Sequence, residues 1–308
     1  MKKYDICVFG GCSMDMTFYQ NEDLSYNEIA DISVAGGKGA NQAVAASRAG
    51  AKVVMLTRVG DDEIGQKIIE NLKNNGVETS FIDKDKYVKN DVCKIYIRKI
   101  DADNDIRREV GAITTYTPKL IEKYKEVILA SKMVIMQLKA PIEFSKALIN
   151  FCYENNIPVV LTPCHPERLC VQEDGNKEFL DKVSYITANK REAEIMFGTE
   201  DLKSCVELYP QKLLVTLGSN GVLYNNGRET KLLPTQKHLK VVDTTGAGDT
   251  FCGNFAAFMV GGMNFEKAIQ KAQYASQIKI ATKTAQKGMP YLKDLEDYIK
   301  QVEAAIQE

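Results

Sequence analysis

The sequence carries no surplus of charge. Its 40 lysines and arginines face 41 aspartates and glutamates, for a formal net charge of −1. That balance removes the electrostatic reason to expect nucleic acid or an anionic membrane as a partner. No apolar run comes near the roughly 18–20 residues needed to cross a bilayer. The N-terminal run Ile6-Cys7-Val8-Phe9-Gly10-Gly11 is too short for a signal peptide, and Asp15 follows closely, so it reads as a buried first strand. No Cys-x-x-Cys pair occurs among the eight cysteines. Scattered cysteines in a chain this long read as small core residues of a reducing cytosol, and a cytoplasmic protein is the expectation. The densest group, Cys164, His165 and Cys170, offers no fourth ligand for a metal; a loop and helix start after Pro163 and Pro166 accounts for it. Internal repeats, low-complexity tracts and flexible linkers are also missing. A single domain over 1–308 is expected, since 308 residues suffice for one large core.

What is present alternates. Short apolar runs read as strands over 5–9, 52–58, 133–138, 158–161, 184–187 and 213–217. Helical patterns fall over 40–49, 63–75, 142–155, 191–197, 265–282 and 292–306, the first two closed by Gly50 and Gly76. Short buried strands separated by helices predict an α/β fold, a doubly wound, mostly parallel sheet with helices on both faces. Two segments break the rhythm. Residues 17–34 are polar and extended in character. Over 91–108, Val92, Lys94, Tyr96 and Arg98 alternate with Cys93, Ile95 and Ile97 around a charged turn at 101–105. Period-two alternation marks half-exposed strands. Together the two segments are expected to form a small sheet projecting from the main domain.

Two glycine clusters carry the chemistry. In Val242-Asp243-Thr244-Thr245-Gly246-Ala247-Gly248-Asp249-Thr250-Phe251, both glycines stand just ahead of an apolar helical run over 251–259. Backbone N–H groups converging at a helix N-terminus have no intrahelical partner and favour an anion. Asp249 is embedded in that anion site. Donors for a developing phosphate charge, beside an acceptor for a hydroxyl proton, are what phosphoryl transfer to an alcohol requires. Helix capping is the plainer role for such an aspartate, but it does not explain Gly-x-Gly and two threonines in front of it. The second cluster is Ala35-Gly36-Gly37-Lys38-Gly39-Ala40-Asn41-Gln42. It is not a Walker loop, because Lys38 is followed by Gly39 rather than Ser or Thr. It is not a dinucleotide fingerprint either, because the third glycine would fall at Gln42 and no strand leads directly into it. What remains is a bare-backbone turn opening a helix, with Lys38 and Asn41 at its mouth. Such a turn suits a small polyhydroxyl ligand, or else simply a tight helix entry in which Ala43 and Ala46 allow close contact with the sheet.

With these motifs the chain resembles the ribokinase (PfkB-type) family of carbohydrate kinases. The likeness runs over nearly the whole chain. It includes Gly10-Gly11-Cys12-Ser13-Met14-Asp15, Gly60-Asp61-Asp62-x-x-Gly65, Met136-Gln137-Leu138, Asn189-x-x-Glu192 and Thr216-Leu217-Gly218-Ser219-x-Gly221. Each is weak alone, and their shared order is specific. The resemblance implies a β-sheet lid, here about 15–35 and 90–110, over the doubly wound sheet. It implies ATP-dependent phosphorylation of a primary sugar hydroxyl, ribose leading, with Mg2+, a monovalent cation (K+) and often a homodimer formed through the lid. Carried onto this sequence, Asp249 is the general base, and the N–H groups of Gly246, Ala247 and Gly248 form the anion hole. Asp15, Gly37, Lys38 and Asn41, with Ser13 and Lys139, face the sugar. Asn189 and Glu192 organise Mg2+ and the phosphates, Glu192 indirectly. Thr216, Gly218, Ser219 and Gly221 line the nucleotide site. Asp243 and the carbonyl of Thr245 bind the monovalent cation, helped by carbonyls of the loop 283–288, and so stiffen the loop carrying the anion hole.

Two positions depart from that pattern. After Met136-Gln137-Leu138 the family usually has a glutamate that accepts bonds from sugar hydroxyls; here it is Lys139. Two residues before Asp15 it commonly has asparagine; here it is Ser13. An acceptor has become a donor of opposite charge, and a site with mismatched polar groups discriminates strongly. Lys139 either meets an anionic group on the acceptor or extends to solvent while another residue does the work. A nucleoside, sugar-acid or sugar-phosphate kinase therefore stands behind a ribose kinase, and a non-catalytic sugar-binding protein on the same fold stands behind those. An NAD-dependent dehydrogenase fits the alternation but lacks the fingerprint glycines.

Overall fold

The computed structural model describes residues 2–99, 104–171, 176–235 and 239–307. Its centre is an eight-stranded sheet. From one edge the order is Thr230–Leu233, Val222–Asn225, Leu213–Thr216, Tyr185–Asn189, Val159–Thr162, Ser131–Gln137, Tyr4–Phe9 and Val53–Leu56. The last six run parallel, and the first two turn back antiparallel. Successive residues of each strand enter opposite cores. Ile6, Val8, Met133 and Ile135 join residues of the helices Lys38–Arg48, Ala247–Val260 and Phe265–Ile280. Cys7, Phe9, Val134 and Met136 join the helix Ile142–Glu154 on the other face. Both faces are dry, which is why these strands read as unbroken apolar runs.

The order of the strands positions a site. From Tyr4–Phe9 the chain goes to Val53–Leu56 on one side, then resumes at Ser131–Gln137 on the other. Ligands of open α/β sheets bind in the crevice that opens beyond the strands' carboxyl ends where the winding reverses. The residues leaving that crevice are Gly10 to Asp15 and Leu138 with Lys139.

The segments that broke the rhythm form a separate four-stranded sheet. Its order is Ile32–Gly36, Ser13–Tyr19, Asp91–Ile97 and Asn104–Glu109, with the central pair parallel and the outer pairs antiparallel. Phe18 stacks on Tyr96 at 4.9 Å across the central pair. Most of the charged turn expected at 101–105 lies outside the described residues. Two expectations need correction. A strand does lead directly into the second glycine cluster: Ile32–Gly36 runs into Gly37, and it escapes notice because its first two residues are exposed and it lacks an apolar run. The strand expected over 52–58 is cut at Thr57, whose hydroxyl meets Tyr116 Oη at 2.8 Å; Arg58–Gly60 then pairs with Asp83–Asp85 instead.

Two helices meet more closely than ordinary side chains allow. The alanine-rich helix Lys38–Arg48 lies against Ala247–Val260 at Gly253, where a Cβ would stand 2.6 Å from the Gln42 carbonyl oxygen and 2.7 Å from Ala45 Cβ. Only a bare backbone lets them approach this far. Among the described residues no helix is long and apolar enough to cross a membrane.

Candidate active site

Gly37 turns the chain from the small sheet into the helix Lys38–Arg48 at φ 90°, and a Cβ there would lie 2.7 Å from the Ser13 nitrogen. The turn is therefore pressed onto the end of the first strand's loop. The glycines make a tight helix entry, with Lys38 and Asn41 in its first turn.

The helix contact at Gly253 brings Asn41 and Gln42 to Asp249. Asp249 is 6% exposed and lies in the first turn of its helix. Asn41 Nδ2 donates to its Oδ2 at 2.9 Å, and Gln42 Nε2 donates to its Oδ1 at 3.1 Å. Both amides are held in turn. Gln286 Nε2 donates to Asn41 Oδ1 at 2.9 Å, and Gln137 Nε2 donates to Gln42 Oε1 at 2.7 Å. A carboxylate oxygen has two acceptor positions, so each can still take a substrate hydroxyl. Gln42 and Gln137 sit inside motifs visible in the sequence, yet their roles are not legible there, because these bonds join residues 95 to 245 positions apart.

The turn expected to form an anion hole differs in one respect from expectation. Gly246, at φ 81°, precedes the helix, and a Cβ on it would lie 3.0 Å from Ala285 Cα. The Ala247 N–H is already donated to the Thr244 carbonyl at 3.1 Å, because the turn closes on itself before the helix begins. Among the described residues no acceptor takes the N–H of Gly246 or Gly248. Nothing lies within 4 Å of where a Gly248 Cβ would be. Two of the three expected amides are therefore available to an anion.

Gly248 also lines a cavity of about 550 Å³ with Thr216, Gly218, Ser219, Gly221 and Phe251. Of the five residues assigned to ATP from the sequence, Thr216, Gly218, Ser219 and Gly221 are in that lining. Asn189 and Glu192 are not, and Glu192 is half-buried rather than an exposed helix acid. They close a reciprocal capping box: Asn189 Oδ1 accepts the Glu192 N–H at 2.9 Å, and Glu192 Oε2 accepts the Asn189 N–H at 3.0 Å. Burial pushes the Glu192 carboxyl pKa up. Lys38 has its pKa raised, first by the charge of Asp249 and also by Glu192, so its ammonium is in Coulomb range of both carboxyls.

The other end of the site is built by register. Val34, Asp15, Cys93 and Arg108 form one row across the small sheet, and Gly36, Ser13 and Asp91 belong to the neighbouring row on the same face. Ser13 Oγ donates to Asp15 Oδ1 at 3.2 Å, and burial pushes the Asp15 pKa up. Lys139 does not run free to solvent. Its Nζ meets Asp91 Oδ2 at 2.7 Å, where the Asp91 side chain is 3% exposed and also accepts the Gly111 N–H at 2.8 Å. Asp91 and Arg108 were not identified in the sequence, where nothing links them to Lys139 or Asp15. Burial holds the thiols of Cys12 and Cys252 near this site up at about 12 and about 11, so they are neutral packing groups.

Asp243, one of the residues expected to hold potassium, does not fit it. Asp243 uses its carboxylate on the N–H groups of Thr245 (2.9 Å) and Thr284 (2.8 Å). Burial alone would raise its pKa; these donors and the nearby Lys279 charge outweigh that and hold it below the usual range. Its carbonyl oxygen accepts the ammonium of Lys279 at 2.8 Å. A second cation on that oxygen would sit about 4 Å from the ammonium and be repelled by about 4 kcal/mol at an effective dielectric near 20.

Known proteins resemble this chain over nearly its whole length. The model of the pfkB family carbohydrate kinases matches residues 3–292. A ribokinase of Bacillus subtilis is 36% identical over 299 residues, covering 96% of this chain and 99% of that relative. The solved ribokinase of Cryptococcus neoformans in complex with ADP superposes with a TM-score of 0.80 at 25% identity, covering 96% of this chain and 99% of that one. The Arabidopsis thaliana ribokinase complexed with ribose and ATP superposes with a TM-score of 0.85 at 24% identity over 96% of this chain and 99% of that one, which speaks to the fold.

Proposed function

The chain belongs to the pfkB family of carbohydrate kinases, and on that premise we propose that it phosphorylates the primary hydroxyl of ribose with ATP. One observation carries the reading. Asp249 is buried directly after Gly248, which lines the 550 Å³ cavity, and it stands beside the available amides of Gly246 and Gly248.

ATP lies in that cavity with its γ-phosphate toward the amides. The sugar lies in the crevice under the small sheet, bonded by Asp15, Ser13, Asn41 and Lys38. Its hydroxyl oxygen forms a bond to the γ-phosphorus as the bond to the β-bridging oxygen breaks. The hydroxyl proton passes to Asp249, and ADP leaves. The Gly246 and Gly248 amides and the Lys38 ammonium face the charge that develops on the transferring group. Glu192 keeps one carboxylate oxygen outside its cap and would hold Mg2+ indirectly, and the ion would neutralise the phosphates. The small sheet acts as a lid; its closure excludes water that would otherwise take the phosphoryl group.

The relative from Bacillus subtilis supports ribose, and the Lys139–Asp91 pair supports it physically. A lysine whose charge is already matched offers N–H donors to hydroxyls rather than a bare charge to an anionic acceptor. With ATP, ribose is expected to be consumed faster than fructose, nucleosides, 2-keto-3-deoxygluconate or hexose phosphates, and ATP alone should be nearly stable. A chain that binds sugar and ATP without consuming ATP would be a binding protein. A sugar acid or sugar phosphate winning the panel would move the acceptor.

A homodimer through the lid belongs to the same proposal. Ile29 is 83% exposed and Leu24 68%, in the segment between the strands Ser13–Tyr19 and Ile32–Gly36; Ile106 is 47% exposed on the edge strand Asn104–Glu109. Exposed apolar side chains on unpaired strand edges invite a second copy. Light scattering is expected to return twice the 34.3 kDa of one chain; a monomer at micromolar concentration would remove the dimer. The eight free cysteines fit a reducing compartment, the cytoplasm.

A further inference from the structure

Lys279 is the one lysine wholly buried among the described residues, at 0% exposure in the last turn of the helix Phe265–Ile280. A buried ammonium is costly unless it is matched by charge and hydrogen bonds. No carboxylate lies within ion-pair distance of it among the described residues. Its Nζ instead donates to two main-chain carbonyl oxygens, Asp243 at 2.8 Å and Thr282 at 3.3 Å. Main-chain carbonyls gathered around a monovalent cation are how proteins replace the hydration shell of potassium. Here the cation is a side chain.

Its position gives it a task. The Asp243 carbonyl belongs to the loop that leads through Gly246 to Gly248. The same loop is stitched to the turn after the helix. The Val242 and Asp243 N–H groups bond the Ile280 carbonyl at 2.8 and 3.1 Å, and Asp243 Oδ2 accepts the Thr284 N–H at 2.8 Å. Gly246 backs directly onto Ala285. Lys279 thus ties the two segments whose separation fixes where the Gly246 and Gly248 amides point. We propose that the Lys279 ammonium is a built-in monovalent cation that orders the anion-hole loop 243–248, so that this chain needs no potassium ion there. Lys279 is a positioning residue: it touches neither substrate and acts through the loop. The inference rests on the kinase reading, and it departs from the potassium requirement that the family resemblance implies.

The test uses the intact protein freed of potassium. Sugar-dependent ATP consumption and the melting temperature are measured in choline, lithium and potassium chlorides at equal ionic strength. The wild type is expected to vary less than twofold in kcat between choline and potassium, with no potassium-specific rise in melting temperature. Crystals soaked in rubidium should show no anomalous peak at the Asp243 carbonyl. Lys279→Met should lose tenfold or more in kcat in choline, and regain most of it in potassium but not in lithium, with a potassium-specific rise in melting temperature. A wild type activated severalfold by potassium, or a rubidium peak on the Asp243 carbonyl, overturns the proposal. So does a folded Lys279→Met chain indifferent to potassium. If that variant does not fold, the wild-type titration and the rubidium soak decide by themselves. Absence of sugar-dependent ATP consumption in every salt is a different result: it removes the kinase reading, while the melting and rubidium measurements still report on the cation.

Discussion

Asp249→Asn is expected to lower kcat by about 10²- to 10⁴-fold, the usual range for loss of a positioned general base. The KM for the sugar should change little, because Asp15, Ser13 and Asn41 remain. The structure adds a second consequence. Both oxygens of Asp249 accept from amide N–H groups, those of Asn41 and Gln42. An asparagine at this position turns one acceptor into a donor that faces a donor. Asn41 and Gln42 cannot simply flip, since their own oxygens accept from Gln286 and Gln137. An unmatched buried polar pair costs about 1–3 kcal/mol. A fall of several degrees in melting temperature should therefore accompany the kinetic loss. Steady-state kinetics and calorimetry on the same preparation separate the two effects. A variant that melts lower but turns over normally would show that Asp249 organises the site without taking the proton.

Lys139→Met is expected to cost about 2–3 kcal/mol of stability and to raise the sugar KM severalfold. Removing one partner of a buried ion pair costs about 3–5 kcal/mol; the lower figure reflects the 27% exposure of the Lys139 side chain. The loss comes from Asp91, left buried with the Gly111 N–H as its remaining partner. Asp91→Asn keeps an oxygen for that N–H and removes the charge. The double variant should therefore regain most of what Lys139→Met loses. Denaturant unfolding of the wild type, both single variants and the double variant measures the coupling directly. Two losses that merely add would mean that Lys139 and Asp91 do not act as a pair. The sugar panel, repeated on the double variant, then shows whether the pair sets the preference among acceptors.

The two glycine clusters were legible because their chemistry is local. A positive φ at Gly246 or Gly37, and free amides at a helix start, follow from a few adjacent residues. The parallel sheet was legible because strands dry on both faces read as apolar runs. The strand Ile32–Gly36 was not, because an exposed strand that borrows its partners from 13–17 leaves no pattern of its own. Lys139 could be recognised as a departure from the family, but its partner could not. Asp91 reaches it only because Asp91–Ile97 lies parallel to Ser13–Tyr19, a register invisible in either segment alone. Lys279 gave no signal at all, since a lysine near a helix C-terminus is ordinarily a solvated one.

By itself, then, the sequence determined the α/β class, the small separate sheet, the glycine loop that leads into Asp249, and four residues that line the 550 Å³ cavity. All of these depend on neighbours within a few positions or on a repeating pattern. Tertiary structure alone decided which amides hold Asp249, which charge answers Lys139, which anion-hole donor is already spent, and what cation occupies the Asp243 carbonyl. Those are pairings across tens to hundreds of residues, and they exist only once packing has brought distant polar groups to hydrogen-bond distance, where burial forces each to find a partner.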